Sequence, residues 1–109
     1  MIGVDVVDVA RLEQALARTP RLEARLFTPA ERAYCRATHN RTQRLAGTLA
    51  AKEAVIKALR LGPLASWVQR IEVRRGPDGV PTAVVGDTEI AVSISHDGPV
   101  AVAVALAPR

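Results

Sequence analysis

The stretch IAVSISHDGPVAVAVAL, residues 90–106, alternates on both sides of a turn at Asp97-Gly98. Ile90, Val92 and Ile94 alternate with Ala91, Ser93 and Ser95, and Val100, Val102, Val104 and Leu106 alternate with alanines. A period of two flanking a tight turn predicts paired antiparallel strands. Ser93, Ser95, Ala101, Ala103 and Ala105 read as one face of small residues, suited to close packing against a helix. Upstream, Ile71 and Val73 begin another strand, and Pro77-Asp78-Gly79 turns the chain into Val80–Val85. Before Trp67 the period is helical. Helices first and antiparallel strands later indicate an α+β fold rather than a parallel α/β sheet.

One strand precedes the helices. Ile2, Val4 and Val6 share one face, and Gly3, Asp5 and Val7 the other, which places an acid on a short strand. Asp8 reads as the N-cap of a helix through Val9, Leu12 and Leu16, ended by Thr19-Pro20. Thr28-Pro29-Ala30-Glu31 is a capping box with proline at the first helical position. Asn40 and its polar neighbours break the chain. A third helix is expected from Thr42 to Leu61, stopped by Gly62-Pro63. The expected architecture is an N-terminal strand and helices packed on a mainly antiparallel sheet.

With 109 residues, the chain fits one domain, residues 1–109. A hydrophobic content of 49% with 24% charged residues excludes a disordered tail or a coiled coil. No apolar run is long enough for a membrane span, and the N-terminus does not read as a signal peptide. The lone Cys35 has no internal disulfide partner, which suits a cytoplasmic location and a buried structural thiol. Fifteen Lys and Arg against 11 Asp and Glu leave a net charge of +4 and favour an anionic partner. Phe27, Tyr34 and Trp67 are too scattered for a base-stacking platform, so nucleic acid is not expected as the partner.

The third helix carries an anomaly. At ~100° per residue, Leu45, Leu49, Val55, Ile56 and Leu59 form one stripe, and Lys52 falls inside it. Glu53 and Lys57 lie one turn apart at its border. One reading is a snorkelling Lys52 beside an ordinary i, i+4 surface pair. The other is a carboxylate and amines projecting into a cleft, able to hold a hard cation and neutralise phosphate. If Asp5 and Glu53 meet in space, the two carboxylates could hold Mg²⁺. His96 lies on the face of Ile90, Val92 and Ile94, as a structural histidine or a functional one.

These segments, in this order, resemble the holo-acyl-carrier-protein synthases, the small trimer-forming class of 4′-phosphopantetheinyl transferases. Gly3-Val4-Asp5-Val6-Val7 with Arg11 is similar to the family's first motif, and Leu26–Glu31 with Tyr34 to its second. Leu45-Ala46-Gly47, Ala50-Ala51-Lys52-Glu53-Ala54 and Lys57-Ala58-Leu59 resemble the third and most specific. Ile71-Glu72-Val73, Gly79-Val80-Pro81 and Val92–His96 resemble the closing strands. The resemblance implies transfer of the 4′-phosphopantetheine arm of coenzyme A to a serine of an apo acyl carrier protein, with release of adenosine 3′,5′-bisphosphate. It implies that Asp5 and Glu53 hold Mg²⁺ and that Lys57 neutralises the departing phosphate. Glu53 or a water on the metal would assist deprotonation of the serine. His96, Arg44 and Lys52 would serve coenzyme A, and Arg11 would meet the acidic carrier protein. A homotrimer with active sites near subunit interfaces is also implied, with the Val/Leu face of the last strands as its candidate contact.

The sequence departs from the family pattern in three places. Thr48 stands where an arginine is usual, and Arg44, one turn earlier, is the available substitute. Arg60 stands where a glycine is usual, and Asp97 follows the histidine in place of Thr or Ser. These departures motivate an alternative function, a catalytically impaired carrier-protein-binding module of the same fold.

Overall fold

The computed structural model describes residues 1–108. The chain runs β1 (Ile2–Asp8), α1 (Val9–Arg18), α2 (Leu22–Leu26), α3 (Pro29–Arg36), α4 (Arg41–Leu59), α5 (Leu64–Trp67), β2 (Ile71–Arg75), β3 (Pro81–Val85), β4 (Thr88–Asp97) and β5 (Val100–Leu106). The five strands form one antiparallel sheet in the order β1-β5-β4-β3-β2. The expected α+β architecture is therefore present. The N-terminal strand closes the sheet by pairing with the last strand, Asp5 opposite Ala103.

Local chemistry explains the helix starts. The Asp8 side chain accepts from Arg11 N at 2.9 Å and caps α1. Thr28 and Glu31 form the reciprocal capping box of α3, with Pro29 at its first position. The short helix α2 has no strong cap and no long apolar period, and it was not expected. Gln69 holds its end by donating to the carbonyls of Ala24, Arg25 and Phe27.

The end of α4 corrects the expected boundary. The helix stops at Leu59, before Gly62-Pro63, and Arg60 adopts the left-handed conformation at φ 54°. Leu61 N donates to Ile56 O and Arg60 N to Lys57 O, the bond pair of a Schellman closure. A left-handed position favours glycine because a Cβ is strained there. Arg60→Gly is therefore expected to stabilise the fold by about 1 kcal/mol, raising Tm by ~4 °C in a thermal melt.

The sheet buries one face. Ala103 and Ala105 of β5 pack with Ala50, Ala51, Ala54, Val55 and Ala58 of α4 in the main core. A second cluster joins Leu12, Phe27, Cys35, Leu45, Ala46, Leu49 and Ala101. Thus α4 is enclosed on nearly all sides along its middle, and a single apolar stripe understates its burial. The other face of the sheet leaves Ile2 (70%), Val4, Val6 (58%), Val104 and Leu106 exposed.

The register corrects the small-residue face. Ser93 pairs with Val104 and Ser95 with Val102, while Ile94 pairs with Ala103 and His96 with Ala101. The alanines pack against the helix as expected. The serines lie on the opposite, open face, because the two-residue loop sets odd positions of β4 against even positions of β5.

Candidate functional site

The site is built where β1 crosses α4. Gly3 permits the crossing, because a Cβ there would fall on the Ala54 carbonyl oxygen and within 2.7 Å of Ala58 N. Two residues on, Asp5 points from the same inward face. Lys57 Nζ donates to Asp5 Oδ1 at 2.8 Å and to the Val4 carbonyl at 3.1 Å. Glu53, one turn before Lys57, lies close enough for Asp5 to act on its carboxyl. The three residues expected at the centre, Asp5, Glu53 and Lys57, therefore converge. Lys57 is salt-bridged to Asp5, so the surface Glu53–Lys57 pair is not the arrangement adopted.

Burial, followed by the hydrogen bond and charge of Asp5, raises the Glu53 carboxyl to about 7, against a smaller opposing pull from Lys57. The Lys57 ammonium is held above its ordinary value by its hydrogen bond and ion pair with Asp5. A carboxyl at about 7 when folded and 4.5 when unfolded binds its proton more tightly in the folded state. In EDTA its contribution to stability is fully present below pH 4.5 and is lost as pH rises through about 7. Glu53→Gln removes that loss. Discounted for the partly exposed side chain, the gain is roughly 1 kcal/mol at pH 8, or ~4 °C in Tm. Thermal melts of both proteins in EDTA at pH 4 and pH 8 check this.

The same geometry suits a hard cation. Asp5 Oδ2 is buried and lacks a hydrogen-bond partner, one of two such side-chain atoms among the described residues; the other is Arg75 Nη2. Lys57 is the one cation paired with Asp5 among the described residues, so two adjacent carboxyls share a single countercharge, and a divalent ion would supply the second. Among the described residues no group of three or more His, Cys, Asp or Glu side chains is placed to hold a metal. Mg²⁺ commonly takes only one or two protein carboxylates and fills its shell with water and phosphate, so the Asp5–Glu53 pair fits it.

Glu53 also lines a groove of about 320 Å³ with Val6, Val7, Asp8, Arg11, Arg18 and Leu49. The expected partner residue Arg11 thus shares a groove with Glu53. Two other expected residues lie at the far end of α4. His96 Nε2 is 2.9 Å from the Gln43 carbonyl oxygen, and Gly47 keeps the helix clear of the ring. Arg44 is half-buried one residue on, with its carbonyl accepting from Thr48 Oγ1 at 2.8 Å. Gln43 precedes Glu53 by ten residues, or ~15 Å along a helix. Within one chain, His96 and Arg44 are therefore not brought to the carboxylate pair.

Lys52 is a correction. It neither snorkels nor faces a cleft: its side chain is 0% exposed. Nζ donates to Glu31 Oε1 at 2.7 Å and to the Leu26 carbonyl at 2.9 Å. Burial pulls the ammonium below its ordinary value, and Glu31 opposes that pull. Enclosed in this way, Lys52 has no face for the phosphates of coenzyme A. Its partner Glu31 went unnoticed beyond its capping role, although a buried lysine requires an acid. Thr48 is buried against Cys35, whose thiol is pushed up by burial. Cys35 is thus an enclosed thiol, and Asp97 is exposed.

Comparison with known proteins shows the family of the chain. Residues 1–105 match the 4′-phosphopantetheinyl transferase superfamily. The chain is 46% identical over 116 residues to the holo-[acyl-carrier-protein] synthase of Moorella thermoacetica, covering 95% of this chain and 90% of the relative. It is 44% identical over 120 residues to that of Salinispora arenicola, covering 99% and 97%. Among solved structures it is similar to Helicobacter pylori holo-[acyl-carrier-protein] synthase in complex with coenzyme A. The TM-score is 0.87 at 28% identity, with 99% of this chain and 100% of that chain covered. The Bacillus anthracis enzyme in complex with CoA (3′,5′-ADP) gives 0.81 at 34%, covering 95% and 91%.

Proposed function

Because the chain belongs to the 4′-phosphopantetheinyl transferase superfamily, we propose that it performs the transfer for which its relatives are named. The 4′-phosphopantetheine arm of coenzyme A passes to a serine hydroxyl of an apo acyl carrier protein. The observation that carries the reading is the convergence of Asp5, Glu53 and Lys57 beside a groove that also holds Arg11. In this reading residues 1–109 act as one domain in the cytoplasm.

The serine oxygen forms a bond to the phosphorus that bears the pantetheine arm. The pyrophosphate P–O bond breaks, and its electron pair leaves with adenosine 3′,5′-bisphosphate. Phosphoryl transfer of this kind depends mainly on positioning and charge neutralisation. Lys57 Nζ, 57% exposed yet tethered to Asp5 and Val4, offsets charge on the leaving phosphate. Glu53 faces both Asp5 and the groove and receives the serine proton. Asp5 fixes Lys57 and, with Glu53, would hold Mg²⁺. When bound, that ion supplies neutralisation of the pyrophosphate oxygens. His96 and Arg44 are assigned to the coenzyme A phosphates or adenosine at the other end of α4.

A homotrimer accounts for two features together. The exposed apolar face of β1 and β5 would be covered, and a neighbouring subunit could bring its His96 and Arg44 toward another chain's carboxylate pair. Carrier-dependent release of adenosine 3′,5′-bisphosphate, followed by chromatography, tests the reaction. Release without carrier protein, or none with it, would sink the reading. In the same assay Arg11→Ala is expected to raise KM for the carrier protein about tenfold with KM for coenzyme A unchanged, since it removes a rim charge facing an acidic partner. Equal damage to both constants would remove Arg11 from the docking surface.

A further inference from the structure

We propose that the buried Lys52–Glu31 ion pair is a positioning device that sets the rotation of α4 and so aims Glu53 and Lys57 at Asp5. The inference rests on the transferase reading and extends it to two residues that touch no substrate.

The pair joins four parts of the fold. Glu31 Oε1 accepts from Thr28 N at 2.8 Å and from Lys52 Nζ at 2.7 Å, while Oε2 accepts from Val73 N at 2.7 Å. Lys52 adds the Leu26 carbonyl and lies 5.8 Å from the centroid of the Phe27 ring. One carboxylate and one ammonium thus tie the loop before α3, α3 itself, α4 and edge strand β2. Both side chains are fully enclosed.

The interface between α4 and the sheet explains why such a tie is useful. Against β5 it is largely alanine on alanine, Ala50, Ala51, Ala54 and Ala58 sharing one core cluster with Ala103 and Ala105. Small side chains allow close approach but offer few knobs to lock a helix about its axis. A buried ion pair has a demanding geometry, and registry is the best-attested use of such pairs. Lys52 and Glu53 are successive residues, ~100° apart around the helix. With Lys52 fixed toward Glu31 and β2, Glu53 is directed to the β1 side, where Asp5 waits. Lys57, one turn beyond Glu53, follows.

A purely structural pair can be replaced by neutral groups with little loss, whereas removing one charge strands the other. The test is therefore the double variant Lys52→Met with Glu31→Gln, which retains an acceptor for Val73 N. It is measured well below its Tm, with the folded fraction established by circular dichroism. The expected result is a fall in kcat of at least ~10-fold with KM for coenzyme A little changed, because a support behind the site has been removed. Mn²⁺ affinity, read by water-proton relaxation without turnover, should weaken by a similar ~10-fold. A folded double variant with native kcat and native Mn²⁺ affinity overturns the inference. If the double variant does not fold, Lys52→Met alone, which leaves the Glu31 carboxylate its Thr28 N and Val73 N donors, is read against the same two measurements. Absence of transfer by the unaltered protein overturns the transferase reading instead, and the Mn²⁺ affinities then decide the positioning claim.

Discussion

Glu53→Gln is expected to lower turnover about 10³-fold while the protein stays folded, because it removes a carboxylate that would hold the divalent cation and that receives the serine proton. Glutamine keeps the volume and one oxygen of the side chain. It loses the negative charge needed beside Asp5 to hold a divalent cation, and it cannot receive the serine proton. The fold has no need of that charge: burial and Asp5 already push the carboxyl to about 7, so neutralising it relieves strain in the metal-free protein. Activity and stability should therefore move in opposite directions, as expected for a residue kept for chemistry. Steady-state kinetics with saturating Mg²⁺, beside thermal melts, check both halves. A variant that retains metal-dependent turnover would remove Glu53 from the site.

The second large effect is expected at Gly3. Gly3→Val places a branched side chain where even a Cβ meets the Ala54 carbonyl and the Ala58 amide. Both obstacles are helix backbone and cannot rotate away. Strand β1 and helix α4 must separate, and overpacking of this kind costs about 3 kcal/mol or more. Asp5 is two residues away, so the same displacement draws it from Glu53 and Lys57. Denaturant melts should show a large loss of stability, and any folded fraction should have lost activity beyond the loss of folded protein. Gly47 provides a contrast. A Cβ there meets Ile94 Cγ2 at 2.8 Å and His96 Nε2 at 3.1 Å, which are side chains able to move. A Gly3→Val protein as stable as the unaltered chain would contradict the close crossing of β1 and α4.

Much of the fold and of the site is legible in the sequence. The alternation of Ile90–Leu106 and the turn at Asp97-Gly98 carried the antiparallel sheet, and the Thr28–Glu31 capping box appears as expected. Asp5, Glu53 and Lys57 were identified together, although only the resemblance, and not spacing, united a strand residue with a helix 48 positions away. The misses have physical causes. Period two assigns faces within a strand, but the relation between β4 and β5 depends on loop length and register, which is why the serines were placed with the alanines. A helix-phase argument assumes one wet side, yet α4 is enclosed by the sheet, α1 and α3, so Lys52 had nowhere to snorkel. Its partner Glu31 is 21 residues earlier and already had a local role. Arg60 gives no signal of a left-handed position by its own residue type; the signal is the family resemblance, in which a glycine is usual there.

Intact-mass spectrometry tests the central claim most directly. An apo acyl carrier protein is incubated with this protein and coenzyme A, with Mg²⁺ in one arm and EDTA in the other. The account predicts that the carrier gains the mass of one phosphopantetheine group with Mg²⁺ and none with EDTA. No gain from folded protein that still binds the carrier would contradict it and leave a carrier-binding module in its place. An equal gain in both arms would contradict the role given to Asp5 and Glu53.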